Sequence, residues 1–515
     1  MNYTKTLFLF ALLVAMTMTA CSGLEDRGGG GGGGGGGTNP GDATLSFTLQ
    51  ATPLAAPPDT NILSYVLVVG GATLTPASGS VINIPGPFTF DMTRLESDSA
   101  FLGTASVPAG TYTSLTVSLT SASVTYCTVT TGVTGCAAGS VTQVSGGATA
   151  SVITFPNGGL VLSSSQQAGL SVDFNLAATL TVSNAGAVTA VNLAPTMVGT
   201  TNPVLSTITL GSTHPSSLTS TQLDYLEDVT GNVTSVSGNI VTVKTATYGS
   251  IAATANSNTF YSPNCNTLNL GLSIACAQVN QVASINATLN ADGTITLISY
   301  DPISAASATN NDWLEGVVTY NPTNSAQFNI VVNDADVSNS GTLLPTTIPI
   351  GAPVTVKYST SNTPVFGVDT QGLNVPADYT NFQGTLPATS LLPGQAVAVH
   401  VTNYSSTGGN PTGILVTTDA VEIRFSRVAG TAAVGGNTIS FSLSSASLPT
   451  YFGLTTASQL VELTSGTPPS TNSTNYDGVS SPTSIVSGDT YSIRALYFGQ
   501  FDAYPFVAAK VRQNP

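Results

Sequence analysis

Short runs of alternating apolar and polar residues recur along this chain and restrict it to β-structure. In Thr44–Leu49 the apolar residues Leu45, Phe47 and Leu49 fall on one face of an extended strand, and Ser114–Leu119 repeats the pattern. Only 7% of the residues are Asp, Glu, Lys or Arg, so charged helix formers are scarce. β-Branched residues, which pack well on a pleated sheet, are frequent instead. The sequence therefore predicts an all-β protein with few, short helices.

The first forty residues resemble a bacterial lipoprotein signal followed by a tether. Lys5 precedes an apolar run, Leu7 to Met18, that is too short to span a bilayer, and small residues lead to Cys21. The resemblance implies cleavage before Cys21 and acylation of its thiol, and two or more acyl chains anchor a protein stably. Ser22, rather than Asp, follows the cysteine, which resembles the pattern for export to the outer membrane in Gram-negative lipoproteins. The glycine-rich segment 22–41 predicts a flexible tether of about 25 Å. The alternative is the buried hydrophobic start of a cytosolic protein.

The charge of the chain is acidic and unevenly distributed. The formal net charge is −15, which argues against a nucleic-acid partner, because phosphate binding depends on clustered basic residues. Half of the ten basic residues come late: Arg424, Arg427, Arg494, Lys510 and Arg512. These five could form a docking surface for an anionic partner, or lie on solvated strand faces with local ion pairs. The sequence favours the solvated faces.

The five cysteines divide into one and four. Cys21 is assigned to the lipid, which leaves Cys127 with Cys136 and Cys265 with Cys276, each pair around a short turn-rich segment. Local pairing is the simplest of the three possible connectivities, and an extracytoplasmic compartment permits disulfides. Zinc binding is the alternative, but the spacing is not that of zinc ligands. We therefore predict two local disulfides.

Motifs within residues 42–200 resemble a known bacterial family. Val107–Thr113 predicts a turn that leads into a strand, and Val172–Leu176 predicts a later strand, followed by Leu193-Ala194-Pro195. This order resembles domain-of-unknown-function family 4382, which implies a β-sandwich domain of a kind often found on lipoproteins. In place of the Asp-Ala-Pro that usually follows the first strand of the family, this chain has Ala51-Thr52-Pro53 and Pro57-Pro58-Asp59.

Strand starts that contain glycine recur in the second half of the chain. Asp228–Val233 and Leu314–Val318 begin two units, and Asp292-Gly293 predicts a tight turn. Glycine allows the sharp coiling that small closed barrels need. The arrangement is similar to domain-of-unknown-function family 5666, which implies OB-like barrels. Two or three barrels fit the spacing, and we choose three. The predicted organisation is a signal peptide (1–20), lipidated Cys and tether (21–41), β-sandwich (42–200), linker (201–223) and barrels at 224–305, 312–426 and 427–515.

The sequence contains no catalytic motif that we recognise. Its two histidines, His214 and His400, are far apart, and there is no Gly-x-Ser-x-Gly elbow. We expect His400 on the open side of a strand whose valines face the core. Glycoside hydrolysis needs only two carboxylates. The candidates in the first domain are Asp91, Glu96, Asp98 and Asp173.

Two weaker ligand sites remain. A calcium loop presents hard oxygen ligands at alternate positions, and this chain has such ligands at Asp334, Asp336 and Ser338. The EF-hand pattern is not met, because Asn339 and Pro345 occupy the positions where an EF-hand requires Gly and Glu. A strand connection is the better interpretation, and we predict no cofactor. The aromatic candidates for stacking on sugars are Trp313, Tyr491, Tyr497 and Tyr504. For Tyr491 and Tyr497 the strand parity predicts core packing instead.

The sequence therefore predicts a non-enzymatic lipoprotein of the cell envelope, held to the bilayer through acylated Cys21. Its expected role is to bind an extracellular polysaccharide or an envelope protein, or to act as a structural spacer. The alternative is an anchored carbohydrate-active hydrolase that uses paired carboxylates of the sandwich domain.

Overall fold

The structure is a computed structural model of the chain, and it is built almost entirely of β-strands. It describes residues 41–52, 60–128, 135–136, 140–155, 158–193, 205–210, 221–245, 249–303, 312–322, 326–336, 343–344, 348–358, 365–375, 382, 384, 390–409, 413–434, 440–444, 459–464, 473–499 and 504–514. The predicted signal, Cys21 and the glycine tether lie outside these residues. Within them, the all-β prediction is confirmed.

Two sheets come first along the chain. The strands of the first sheet are β1 (Ala43–Thr52), β4 (Ala100–Val107), β9 (Gln167–Asn175) and β12 (Leu205–Leu210). Those of the second are β2 (Thr60–Pro76), β3 (Ile82–Asp91), β5 (Gly110–Thr128), β6 (Thr142–Gly146), β7 (Thr149–Thr154) and β8 (Leu160–Leu162). Their orders are β12-β9-β1-β4 and β3-β2-β5-β6, with β7 and β8 also paired to β5. A separate hairpin joins β10 (Leu180–Val182) to β11 (Val188–Val191).

One hydrophobic core joins the two sheets, and we call them together the N-terminal sheet pair. Leu45 and Phe47 of β1 meet Leu67 of β2 and Leu115 of β5, and all four side chains are at most 1% exposed. These are the alternate positions that the sequence pattern assigns to the core. The helical segments here are one turn each, Arg94–Glu96 and Leu176–Thr179. Arg94–Glu96 follows β3 and carries charged groups out of the sheet pair.

Three further sheets follow, each with six strands. The first comprises β13 (Gln222–Ser237), β14 (Ile240–Thr245), β15 (Gly249–Thr254), β16 (Phe260–Tyr261), β17 (Val282–Asn290) and β18 (Ile295–Pro302). The second comprises β19 (Trp313–Tyr320), β20 (Gln327–Asp336), β21 (Pro353–Tyr358), β22 (Val365–Val368), β23 (Ala396–Gly409) and β24 (Gly413–Arg424). The third comprises β25 (Ser426–Ala433), β26 (Ser440–Ser444), β27 (Gln459–Leu463), β28 (Asn475–Asp477), β29 (Thr490–Tyr497) and β30 (Phe506–Gln513). Short helical segments are Asn264–Thr267, Ile274–Cys276 and Pro482–Ser484.

All three of these sheets have the same strand order and close on themselves. The first runs β15-β14-β13-β17-β18-β16, and β15 also pairs with β18, in parallel. The other two repeat this order and the closing parallel pair, β21 with β24 and β27 with β30. We call them the first, second and third closed sheets. Closure gives β15, β21 and β27 a partner on both sides, so these strands are not the unpaired edges that make open sheets prone to aggregate.

Two glycines mark where the first strand of a closed sheet bends. A Cβ on Gly231 would collide with the carbonyl oxygen of Lys244, and one on Gly316 with that of Val331. The pairing register shifts beside Gly316, between it and the preceding residue. Only glycine allows the two backbones to approach this closely. The predicted Asp-Gly turn is also present, since Gly293 has φ +81° between β17 and β18.

The predicted linker 201–223 is wrong in part. Leu205–Leu210 forms β12, which pairs antiparallel with β9 and extends the first sheet, and Gln222 already belongs to β13. The Thr- and Ser-rich composition suggested a linker, but these residues also suit a strand, and an available sheet edge decided the outcome. Among the described residues, no helix has both the length and the apolar character required to cross a bilayer.

Candidate functional site

The closed sheets present equivalent strand positions that carry different charges. Pairing registers place Asp301 opposite Ser284 in the first sheet, Glu422 opposite Ala398 in the second and Arg512 opposite Ser492 in the third. The same position is therefore acidic in two sheets and basic in the third. Repeats built this way can attract one another through corresponding faces.

These faces contribute to one buried network of charged groups, which we call the central network. Its carboxyl groups are Asp98, Asp224, Glu227, Asp228, Asp301, Glu315, Asp334, Asp369, Glu422 and Asp477. Its cations are Arg94, Arg424, Arg427, Arg494, Lys510 and Arg512. Except for Glu422 and Arg427, which are half-buried, every residue is less than 9% exposed. Residues from the N-terminal sheet pair and from all three closed sheets take part.

Arg424, at the end of β24, connects the first and second closed sheets. Its guanidinium contacts Asp369 and lies 3.2 Å from Glu315 and 3.6 Å from Asp228. Its Nη2 also donates to Thr230 Oγ1 of the first sheet at 2.8 Å. Arg424 is 2% exposed, and the carboxylates, Asp369 first, outweigh the effect of burial and raise its pKa. The cation is thus held charged inside the protein.

The N-terminal sheet pair joins the network through the turn after β3. Arg94 donates to the backbone oxygen of Asp228 at 3.0 Å and lies 3.4 Å from Glu315. Asp98 accepts from Arg427 of β25 at 2.7 Å, and Arg427 lies equally close to Asp228. Burial alone would raise the pKa of Asp228, but the charges of Arg427, Arg424 and Arg94 lower it.

The third closed sheet supplies a fully buried lysine. Lys510 Nζ lies 2.7 Å from Glu227 of β13 and 4.0 Å from Asp477 of β28, and the lysine is 0% exposed. Arg512 pairs with Asp477 at 2.7 Å and donates to the Asp98 backbone oxygen at 2.9 Å. The last strand therefore touches both the first closed sheet and the N-terminal sheet pair.

Gln371 occupies the middle of the network. Its amide nitrogen donates to Asp228 at 2.6 Å, and its amide oxygen accepts from Asn286 at 2.9 Å and from Arg494 at 3.2 Å. It thereby links a residue of the second closed sheet to both of the others. Gln371 has φ +46° and Asp228 φ +54°, a left-handed conformation that costs free energy in residues other than glycine. The surrounding contacts hold both residues in it.

The network holds more carboxyl groups than cations, and burial compensates for the excess. Burial raises the pKa of Asp224, that of Asp334 to about 7, and that of Glu422 to about 8. Burial, together with the neighbouring Asp369, also raises the pKa of Asp301 well above its usual range. When Asp301, Asp334 and Glu422 carry protons, seven carboxylates face six cations, which brings the interior close to neutrality. A neutral interior avoids the large desolvation cost of unpaired charge.

One part of the network could hold a cation. Asp301, Asp369 and Glu422 each offer an oxygen, and these oxygens lie within 4.8 Å of one another. Hard oxygen ligands of this kind suit calcium or magnesium. However, Arg424 already contacts Asp369 and lies 3.5 Å from Glu422. Burial and the neighbouring Asp369 also raise the pKa of Asp301 and of Glu422, which favours their protonated forms.

A small cavity opens where the three closed sheets meet beside Gln371. Its volume is about 20 Å³, and its walls include Glu227, Asn475 and Arg494. The ring of Phe425 also lines the cavity, and its centre lies 4.7 Å from the Arg494 guanidinium.

The prediction for the late basic residues is wrong in both forms. Arg424, Arg494, Lys510 and Arg512 are at most 3% exposed, and the Arg427 side chain is 10% exposed. They form neither a docking surface nor a solvated face, because the second face of their strands is covered by neighbouring sheets. A signal was available: β30 reads Phe-Val-Ala-Ala-Lys-Val-Arg, and a nearly continuous apolar run is typical of strands buried on both faces.

The carboxylates proposed for hydrolysis are separated into different contacts. Asp91 accepts from the Tyr65 backbone at 3.0 Å and from Asn333, and Asp173 accepts from Thr52 at 2.6 Å. Asp98 belongs to the central network, and all three are at most 6% exposed. Glu96 is half-buried. The structure therefore does not bring Asp91, Asp98 and Asp173 together in an open cleft.

The remaining aromatic and histidine candidates pack against protein groups. Tyr491 and Tyr497 belong to the core of the third closed sheet, and Trp313 is 7% exposed. Tyr504 is half-buried. His400 lies opposite the buried valines as expected, with Nδ1 2.6 Å from Asp419 and its ring centre 5.3 Å from that of Trp313. His214 lies outside the described residues.

The cysteines and the calcium candidates have different outcomes. Cys127–Cys136 and Cys265–Cys276 lie at disulfide distance, with Cα–Cα separations of 5.7 and 5.4 Å. Asp334 is turned toward Arg94 at 3.6 Å. The side chain of Asp336 and the whole of Ser338 lie outside the described residues, so the calcium loop stays untested.

Comparison with family models, curated proteins and solved structures finds no match to this chain.

Proposed function

We propose that this chain is a non-enzymatic module of the cell envelope, tethered to the bilayer through acylated Cys21, that acts as a preassembled structural or binding body. The observation that carries the proposal is the central network. It uses six of the ten basic residues of the chain to hold four units together. Charged groups that are buried in mutual pairs are unavailable for chemistry on a substrate.

The organisation of the closed sheets supports the same proposal. Their strand order and their closing parallel pair support OB-like barrels, and the shared core of the first two sheets supports a β-sandwich. In this proposal the glycine tether lifts a stiff assembly away from the headgroups. The partner would be an extracellular polysaccharide or another envelope protein.

Anchorage is tested by metabolic labelling of the full chain with a radioactive fatty acid, followed by membrane fractionation. Wild type should carry label in the membrane fraction, and Cys21→Ser should carry none. Cys265→Ser serves as the matched control, because it removes a thiol and should leave the label in place. An unlabelled wild-type chain in the cytoplasm would contradict the proposal.

The non-enzymatic role is tested on the mature protein by a glycan array, a pull-down from envelope extracts and a polysaccharide turnover assay. We expect binding in one of the first two assays and no release of sugars. Turnover that is lost in Asp173→Asn or Asp91→Asn would establish the hydrolase alternative instead.

A further inference from the structure

Three buried polar atoms beside the cavity have no hydrogen-bond partner among the described residues. They are Ser473 Oγ, Asn475 Oδ1 and Arg494 Nε, in residues that are 2%, 9% and 3% exposed. All three residues line the same cavity. Buried polar atoms in folded proteins are almost always bonded, to ordered water where no protein group reaches them. Three such atoms around one cavity point to one shared ligand.

We propose that the cavity is a binding site for a single ordered water molecule. Its volume of about 20 Å³ exceeds the roughly 10–15 Å³ that one water needs. A water can accept from Arg494 Nε–H, donate to Asn475 Oδ1, and either donate to or accept from the Ser473 hydroxyl. That set gives it three partners, the usual number for a buried water.

The charges of the walls exclude ions. The side-chain nitrogen of Asn475 donates to Glu227 Oε1 at 3.4 Å, and this hydrogen bond fixes the orientation of the amide. The amide oxygen is then the atom available to a molecule in the cavity. An anion would meet this oxygen and the Glu227 carboxylate. A cation would meet the Arg494 guanidinium, whose Nε can only donate. A neutral molecule that both donates and accepts satisfies all three groups.

The water has a structural consequence for Arg494. The two terminal nitrogens of this arginine already donate to Gln371 at 3.2 Å and to Glu227 at 3.4 Å. With Nε bonded to the water, all three nitrogen atoms of the guanidinium are used. The water therefore positions Arg494 between the first and second closed sheets.

The test is a crystal structure of the mature protein at high resolution, with a second crystal soaked in sodium bromide. We expect one isolated density peak about 2.7–3.2 Å from Ser473 Oγ, Asn475 Oδ1 and Arg494 Nε, and no anomalous bromide signal there. An empty cavity, a bromide peak, or a peak within reach of only one of the atoms would overturn the proposal.

A variant provides a readout in solution. Ser473→Ala removes one partner of the water, so the equilibrium constant for unfolding should rise about fivefold, as for loss of one net hydrogen bond. Ser480→Ala changes an exposed serine of the same closed sheet and should leave that constant unchanged. If both variants behave alike, Ser473 does not bind the water, and the three-partner site is rejected.

Discussion

The buried pair Lys510–Glu227 allows a quantitative test of how the third closed sheet is held to the first. Replacing Lys510 with Met leaves the Glu227 carboxylate with Arg494 and Asn475, both at 3.4 Å. Replacing Glu227 with Gln leaves the Lys510 cation with Asp477 at 4.0 Å and with the ring of Tyr225, 5.7 Å away. In each single variant one buried charge loses its closest partner.

Breaking a buried pair usually costs about 3–5 kcal/mol. Because the secondary partners retain part of the stabilisation, we expect about 3 kcal/mol for each single variant. The double variant Glu227→Gln/Lys510→Met buries no unpaired charge from this pair, so it should cost no more than one single variant, about 3 kcal/mol or less in total. The coupling energy is then about 3 kcal/mol or more, at the upper end of the range for residues in one network.

The assay is urea unfolding followed by the fluorescence of Trp313, the only tryptophan of the chain, and in parallel by far-ultraviolet circular dichroism. Coincident transitions would justify a two-state treatment. Lys357→Met is the matched control, because Lys357 is exposed, and it should change stability by less than about 0.5 kcal/mol. Single variants that each cost under about 1 kcal/mol, or a double variant equal to their sum, would refute the reasoning.

Further predictions concern pH, the middle of the network and a disulfide. Burial raises the pKa of Glu422 from about 4.5 in the unfolded chain to about 8 in the folded protein. Between these two values the folded state binds more protons than the unfolded state, so folding becomes less favourable as the pH rises. The stabilisation from protonated Glu422 is therefore complete below about pH 4.5 and is lost as the pH rises through 8. The thermal midpoint measured by circular dichroism should fall between pH 6 and pH 9, and it should fall less in Glu422→Gln than in wild type. An equal decrease in the two proteins would contradict this prediction. Gln371→Ala removes hydrogen bonds to five buried partners and should cost about 2–4 kcal/mol in urea unfolding. Gln143→Ala, at an exposed site, should cost almost nothing, and similar costs for the two variants would count against the role of Gln371. The Cys265→Ala/Cys276→Ala variant removes a disulfide that closes a loop with a sequence separation of 11. Under oxidising conditions its free energy of unfolding should be about 2–3 kcal/mol lower than that of wild type. Under reducing conditions the variant and wild type should be equally stable.

The strands and their core faces could be predicted because they depend on local pattern. Leu45, Phe47 and Leu49 alternate with polar residues, and all three are buried in the core of the N-terminal sheet pair. The turn at Asp292-Gly293 follows in the same way from the conformational freedom of glycine. These features need only a few neighbouring residues to specify them.

The central network could not be predicted from the sequence, because its partners lie far apart along the chain. Arg94 and Glu315 are separated by 221 residues, and no local signal relates them. Alternation indicates which side chains share a face, but not what covers the second face. The apolar run around Lys510 indicates a strand that is buried on both faces, but it does not indicate that Glu227 of the first closed sheet lies against it.

The contacts of Arg512, which lies in the last strand β30, can form only after almost the whole chain has been synthesised. Its guanidinium donates to backbone oxygens of Leu95 and Asp98, across sequence separations of 417 and 414, and contacts of such range form slowly. A nascent chain that stops before β29 would lack Arg494, Lys510 and Arg512, and would leave Glu227 and Asp477 without their cations. Incomplete products would therefore differ from the finished protein in carrying uncompensated negative charge at Glu227 and Asp477.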